Sequence, residues 1–338
     1  MKKHIPVIIA LILLCPVLFS CNKKQPNDIN GLETRIWTDD TGREVEIKTN
    51  IKRIAVSGRI AQSIVLPIAK DMLVGIAEPW SEYEKTVIPK EYLSLPVHGR
   101  IYGIKGKVNL ETLISLSPDV VIDIGTNMSD SRSDMDHFSE KTGIPFIHIT
   151  LDKLNLDEVF TKIGILLNRT DDAKKLSDFT KRVYSFAEDT LKTAEMKKVL
   201  FITGSRGERV IACESYFSSA LDLCTDNVAK FDRIERMSYA PFYTSEQLML
   251  FKPDVVLFSS VCDKTEIQNS AAIQALDAIR ESNFYYFPHI PYENMGFPPG
   301  PSEIFGILWL LNTLYPDNVT FDYKAETEMF YKLFFLVL

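Results

Sequence analysis

Residues 109–123 read NLETLISLSPDVVID and residues 244–258 read TSEQLMLFKPDVVLF, one unit written twice at an offset of 135 residues. Glu111, Leu113, Pro118, Asp119, Val120 and Val121 match Glu246, Leu248, Pro253, Asp254, Val255 and Val256. Each copy opens on a helix-capping residue, Asn109 or Thr244, and carries a short amphipathic helix. A proline then stops the helix, and an apolar run suited to a buried parallel strand follows. Chance similarity of two helix-proline-strand units accounts poorly for six identities in fifteen positions at one fixed spacing. The chain therefore has to fold as two related halves.

The rest of each half fits that plan. Lys52–Val56 opens the first unit as a strand and Lys198–Ile202 opens the second. Further strands are expected at Met72–Ala77, Pro145–Ile149, Arg209–Ala212 and Asn283–Phe287, with helical stretches between them. Strand-helix alternation within each half implies α/β architecture with mostly parallel sheets. From Asp171 to about Glu195, the apolar residues Ala173, Leu176, Phe179, Val183, Phe186 and Leu191 recur at helical spacing, opposite Lys, Asp and Glu. About 25 residues at 1.5 Å each give a rod of roughly 37 Å. A helix packed on one half alone would show the same pattern; its place between two repeated units favours a connector. The expected fold is two Rossmann-like lobes, residues 36–170 and 196–338, joined by the long helix 171–195, with a ligand cleft between them.

At the N-terminus, Lys2 and Lys3 precede an uncharged, mostly apolar run from Ile5 to Phe19, too short to span a bilayer. This is the pattern of a secretory signal peptide over residues 1–20. Leu18-Phe19-Ser20-Cys21 reads as a lipobox, the pattern after which bacteria lipidate a cysteine and cleave before it. Residues 21–35 then read as a lipidated flexible tether, because Asn22–Asp28 has nothing to bury. An ordinary cysteine beside a standard cleavage site is the alternative, and the position of Cys21 where the apolar run stops speaks against it. The expected location is extracytoplasmic, anchored to the cell membrane by lipid.

A net charge of −7 argues against nucleic acid as a partner. Cys213, Cys224 and Cys262 remain after export and lipidation, and any of their three pairings could form a disulfide. No CxxC or His-rich cluster suggests a metal site, and four scattered mature histidines offer little to a bare Zn²⁺ or Mn²⁺ ion.

Ligands of open parallel sheets bind beyond the carboxyl ends of the strands. Reading the loops after those ends gives cleft candidates Arg59, Trp80, Arg100 and Tyr102 from the first half, and Arg206, Tyr239, Phe242 and Tyr243 from the second. Arg59 and Arg206 each follow the first strand of their half, so two guanidinium groups could face one another and hold an anionic chelate, with rings supplying flat surfaces. Against this, a surface arginine usually meets only solvent, and an aromatic ring often packs on its own lobe. The lone histidines His98 and His289 read as packed or solvated side chains before they read as ligands.

The ordered set of motifs can be matched to a family. Trp37–Arg43, the Lys52-Arg53-Ile54 strand, Asn109-Leu110-Glu111 with Ser117-Pro118-Asp119-Val120-Val121, and Ser245-Glu246-Gln247 together resemble the helix-linked (class III) periplasmic binding proteins, which serve iron-siderophore, haem and vitamin B12 ABC importers. The similarity runs from about residue 36 to 335. It implies an extracytoplasmic solute-binding lipoprotein, not an enzyme, acting as a monomer without a cofactor. Its partners would be an ABC permease dimer with its ATPase subunits and a small-molecule metal chelate: a ferric siderophore first, haem or cobalamin as alternatives. It also implies that Glu111 and Glu246 dock on the permease, that an aromatic among Tyr239, Phe242 and Tyr243 faces the ligand, and that the lobes move only modestly. Without it, the first-turn positions of both glutamates are explained by the helix dipole alone.

Two departures stand out. Some relatives carry Pro-Arg near the start of the late helix, where this chain has Pro301-Ser302-Glu303. Relatives also continue for a few polar residues past the final helix, while this chain stops at Phe335-Leu336-Val337-Leu338. The rival functions are an extracytoplasmic enzyme and an adhesin on the same fold. No GxGxxG after a strand, GxxxxGK[ST], GxSxG or HExxH recommends the enzyme.

Overall fold

The computed structural model describes residues 33–101, 108–232, 240–292 and 295–335. The two copies of the repeat fold alike down to single dihedral angles. In the first, Asn109 caps helix Leu110–Ser115 by accepting from the Thr112 amide at 3.0 Å. In the second, Thr244 caps helix Ser245–Phe251 by accepting from the Gln247 amide at 3.2 Å, and the Gln247 side chain accepts from the Thr244 amide in return. Both helices are ended by a left-handed residue immediately before the proline, Ser117 at φ 46° and Lys252 at φ 44°. The aspartate after each proline then ties the new strand to the first strand of its sheet. Asp119 accepts from the Lys52 and Arg53 amides at 2.7 and 2.9 Å, and Asp254 from the Lys198 amide at 3.1 Å.

Among the described residues, strands β1 to β10 are Thr34–Thr38, Glu44–Lys48, Ile54–Val56, Val120–Gly125, Phe146–Thr150, Lys198–Thr203, Arg209–Val210, Asp226–Asn227, Val255–Phe258 and Phe284–Tyr286. Helices α1 to α12 are Arg59–Ala69, Leu110–Ser115, Ser131–Thr142, Leu156–Leu167, Thr170–Leu191, Ser219–Cys224, Ser245–Phe251, Lys264–Asn269, Ala271–Gln274, Asp277–Arg280, Pro301–Leu314 and Tyr323–Phe334. Among the described residues, none of these helices is long and apolar enough to cross a membrane.

The N-terminal sheet is parallel, in the order β3-β4-β5, with Ile54 opposite Val120 and Val121 opposite Phe146. The expected strand Met72–Ala77 makes only single parallel bridges, Leu73 to Ile54 and Ile76 to Val97. There the chain squeezes beneath α2: a Cβ on Gly75 would lie 2.6 Å from Leu116 Cδ1. The hairpin β1-β2 docks on this lobe through Arg43, which pairs with Asp39 at 3.1 Å and Asp136 at 2.7 Å and donates to the Phe146 carbonyl at 2.9 Å. Because Thr34 and Arg35 already pair with Lys48 and Ile47, regular structure reaches two residues into the expected 21–35 tether.

In the C-terminal sheet β10, β9, β6 and β8 are joined in parallel, and β7 runs antiparallel to β6. The expected Arg209–Ala212 strand is thus shorter and reversed. Gly204 at φ +88° and Gly207 at φ +68° turn the chain straight back after β6, a conformation that side chains disfavour.

Helix α5 runs Thr170–Leu191, starting one residue earlier and ending four residues sooner than the periodicity alone predicts. Its 22 residues give about 33 Å. It buries Ala173, Leu176, Phe179, Val183 and Ala187 against α4 on one side and α11, α12 and α6 on the other. Gly164 sets the closeness of α4 and α5, since a Cβ there would stand 2.4 Å from the Ala173 Cβ. One hydrophobic core continues from Ile54 and Val120 through Phe160, Phe179, Leu308 and Phe334 to Val199 and Val255. The halves are therefore fused along the helical seam, and what separates them is a groove beyond the strand ends.

Candidate functional site

Strand β3 ends at Val56, and α1 starts three residues later, which delivers Arg59 to the groove on a helix N-terminus. Its guanidinium donates to the Glu84 carboxylate and, at 3.3 Å, to the Pro79 carbonyl. Glu84 is 3% exposed and is held in place by a reciprocal cap. Its carboxylate accepts from the Ser81 amide at 2.8 Å, and the Ser81 hydroxyl accepts from the Glu84 amide at 3.2 Å. The preceding loop is fixed by buried Gln62, which accepts from the Ala77 and Glu78 amides and donates to the Glu78 carbonyl at 3.0 Å. Arg100 then pairs with the Glu78 side chain at 3.2 Å.

The opposite wall comes from Pro291, Tyr292, Phe297 and Pro298. Arg59, Glu78, Ser81 and Glu84 together with Pro291, Tyr292, Phe297 and Pro298 enclose about 170 Å³. Tyr292 is fully buried, and its phenol is pushed well above its usual pKa by burial, with Glu84 adding to the effect. At the rim, His289 stacks on Tyr83 from the other lobe at 5.2 Å. Elsewhere the lobes are bridged by Lys153 and Asp222 at 3.1 Å.

Several sequence candidates change character in three dimensions. Trp80 is 5% exposed and donates its indole N–H to the Tyr92 carbonyl at 3.0 Å, so it packs in the lobe core and shows no face to a ligand. Arg59 does line the groove, but as half of an ion pair and not as a free cation. Arg206 is exposed on the Gly204–Gly207 turn and is not part of the pocket lining, so the facing pair of arginines is not formed there. Tyr243 is half-buried, donates its hydroxyl to the Gly207 carbonyl and packs on the C-terminal core, and burial pushes its phenol up. Phe242 is 60% exposed. Arg209, absent from the sequence candidates, lies with its guanidinium 3.7 Å from the Phe242 ring centre and donates to the Ala240 carbonyl at 2.8 Å. Tyr102, Tyr239 and Cys21 lie outside the described residues.

Glu84 is absent from the sequence candidates too, although Ser81-x-x-Glu84 is the spacing of a capping box. No local pattern marks Arg209. His98 is 1% exposed behind the groove wall, with Nδ1 2.9 Å from the Gly99 carbonyl oxygen and its pKa lowered by burial, which matches a packed histidine. Glu303, in the first turn of α11, is buried with one oxygen unpartnered, and burial pushes it up to about 8. Cys213, Cys224 and Cys262 are all free thiols.

Glu111 and Glu246 are exposed in the first turns of α2 and α7, and Glu246 is held below its usual pKa by its own backbone amide and the Thr244 hydroxyl. Three residues after each stands an apolar side chain, Ile114 and Met249, both 44% exposed. The two faces therefore repeat in composition as well as in fold.

A family model described as periplasmic binding protein matches residues 102–291. No curated protein matches the chain in sequence. Among solved structures, an ABC transporter solute-binding protein from Sulfurospirillum deleyianum has a TM-score of 0.78 at 22% identity, covering 90% of this chain and 95% of its own. The molybdate-bound periplasmic binding protein MolA of Haemophilus influenzae has 0.70 at 18% identity, covering 90% and 98%. A TroA-like periplasmic binding protein, FepB, from Veillonella parvula has 0.67 at 18% identity, covering 88% and 95%. At such identities the likeness is one of fold.

Proposed function

The chain belongs to the periplasmic binding protein family, and from that premise we propose that it is the solute-capturing subunit of an ABC importer, anchored outside the cytoplasm by lipid on Cys21. The observation that carries this reading is the groove itself. Charged and hydroxyl groups of one lobe (Arg59, Ser81, Glu84) face rings and prolines of the other across a space that both lobes close. Binding without chemistry suits such a lining.

The proposed solute is a metal chelate, a ferric siderophore first and haem or a corrinoid second. Supporting an organic ligand is the ring of Phe297, which lines the groove and is 41% exposed. Pockets for such ligands usually measure about 300–1,000 Å³, and the 170 Å³ of this groove is smaller than that. Loading would part the lobes at the groove while the shared core along α5 limits their swing. Glu111 with Ile114, and Glu246 with Met249, supply two like docking points for a two-fold permease carrying cations beside apolar surface.

The test is a thermal-shift screen of the purified full chain against ferric siderophores, haemin and cobalamin. A ligand at about a hundredfold over its Kd should add about 2.7 kcal/mol to stability. If none of the three classes shifts the transition, the chelate reading is wrong, and if a ligand is chemically converted, the capture role is wrong.

A further inference from the structure

We infer that the groove selects a metal chelate of zero net charge over a polyanionic one; this rests on the ligand-binding reading above and adds the charge class of the ligand. The argument is a count of countercharges where the ligand would sit. Arg59 is the guanidinium that lines the pocket, and it is already committed to Glu84, whose side chain is 4% exposed. Turning Arg59 toward an anionic ligand would leave a buried carboxylate without its cation, the arrangement that proteins tolerate least. Arg100 is committed in the same way to Glu78, a second lining carboxylate, at 3.2 Å. Two guanidinium groups and two carboxylates thus cancel on one wall, while Tyr292, Phe297 and the two prolines of the other wall carry no charge. On the C-terminal lobe, Arg209 keeps its charge, since the Phe242 ring and the Ala240 carbonyl do not neutralise it, but it is not among the residues that line the pocket.

A polyanion brought into this space meets Glu78 and Glu84 at close quarters, with no unpaired cation among the described lining residues to offset them. Like charges brought together discriminate strongly against a ligand. A neutral chelate meets hydrogen-bonding groups and apolar rings, which the walls supply. A ferric trihydroxamate has that balance; a triply anionic ferric tris-catecholate does not.

Both probes can be titrated calorimetrically into the full chain in detergent. The trihydroxamate should bind at least about tenfold more tightly. In Glu84→Gln, Arg59 is released from its carboxylate, and the affinity for the tris-catecholate relative to the trihydroxamate should rise by about tenfold. Glu78→Gln, at a partly exposed pair, makes the same test should the Glu84 variant fail to fold. Equal or tighter binding of the tris-catecholate by the unaltered chain overturns the charge assignment and leaves the capture role standing. Binding of neither probe, together with no response to haemin or cobalamin, overturns the chelate reading and the assignment with it.

Discussion

Glu84 holds the guanidinium of Arg59 at the start of α1, so the first arginine of the groove is half of an ion pair whose acidic member is almost wholly buried. Removing the cation should therefore harm the fold as well as the site. Arg59→Ala should cost about 2–4 kcal/mol in chemical denaturation, because the carboxylate it leaves is desolvated and uncompensated. Arg59→Lys should recover only part of that, since one ammonium does not reproduce a planar fork reaching both Glu84 and the Pro79 carbonyl. An Arg59→Ala protein as stable as the parent would show that the pair contributes nothing.

Glu303 gives the protein a distinctive pH response. Its carboxyl, ordinarily at 4.5, is pushed up to about 8 in the folded chain, burial being the main cause. The folded state thus holds this proton more tightly than the unfolded state. The associated stability is fully present below pH 4.5 and is lost as pH rises toward 8. Glu303→Gln should raise stability at pH 8 by up to a few kcal/mol, each tenfold difference in proton affinity being worth about 1.4 kcal/mol, and change little at pH 4.5. Urea midpoints across that range that run parallel for parent and variant would contradict the assignment.

The two exposed glutamates are predicted to act in transfer and not in capture. Glu111→Arg combined with Glu246→Arg should abolish uptake of the chelate by cells while its affinity for the purified protein stays within about twofold. Ile114→Ser with Met249→Ser should weaken uptake in the same direction. A loss of ligand affinity in either double variant would move these residues into the ligand site.

Ser117 and Lys252 hold left-handed backbone at matching ends of α2 and α7, with φ of 46° and 44°. Side chains disfavour this region and glycine does not, so Ser117→Gly and Lys252→Gly should each stabilise the chain by about 0.5–1 kcal/mol. Both side chains are exposed, so little packing is lost in exchange. Destabilisation by either change, read from denaturant midpoints, would mean that the native backbone is not left-handed there.

Much of the fold was legible because its signals are local. Asn109 and Thr244 cap their own first turns, the helices end before Pro118 and Pro253 as the prolines require, and the Val-Val runs after those prolines become β4 and β9. The periodicity of residues 171–195 marks α5 to within four residues, and the end differs because the chain after Leu191 continues as a hydrogen-bonded turn, Thr193 and Ala194 donating to the Thr190 carbonyl. The reach of the chain beyond the first strand end likewise points to Arg59, which lines the groove. The match of Met72–Ala77 to a strand pattern misleads, since an apolar run bounded by turns is also what a buried crossing segment needs.

The sequence by itself determined the duplicated α/β units, their caps and stops, and the segments from which a groove could be built. The tertiary structure decided which side chains are available there. Arg59 is spent on Glu84, Trp80 turns inward to the Tyr92 carbonyl, and Arg209 rises beneath Phe242. Caps and periodicities arise within a few turns of chain and leave their mark on residue order. Charge pairing and burial depend on which distant segments the packed lobes bring together, and no spacing along the chain records that.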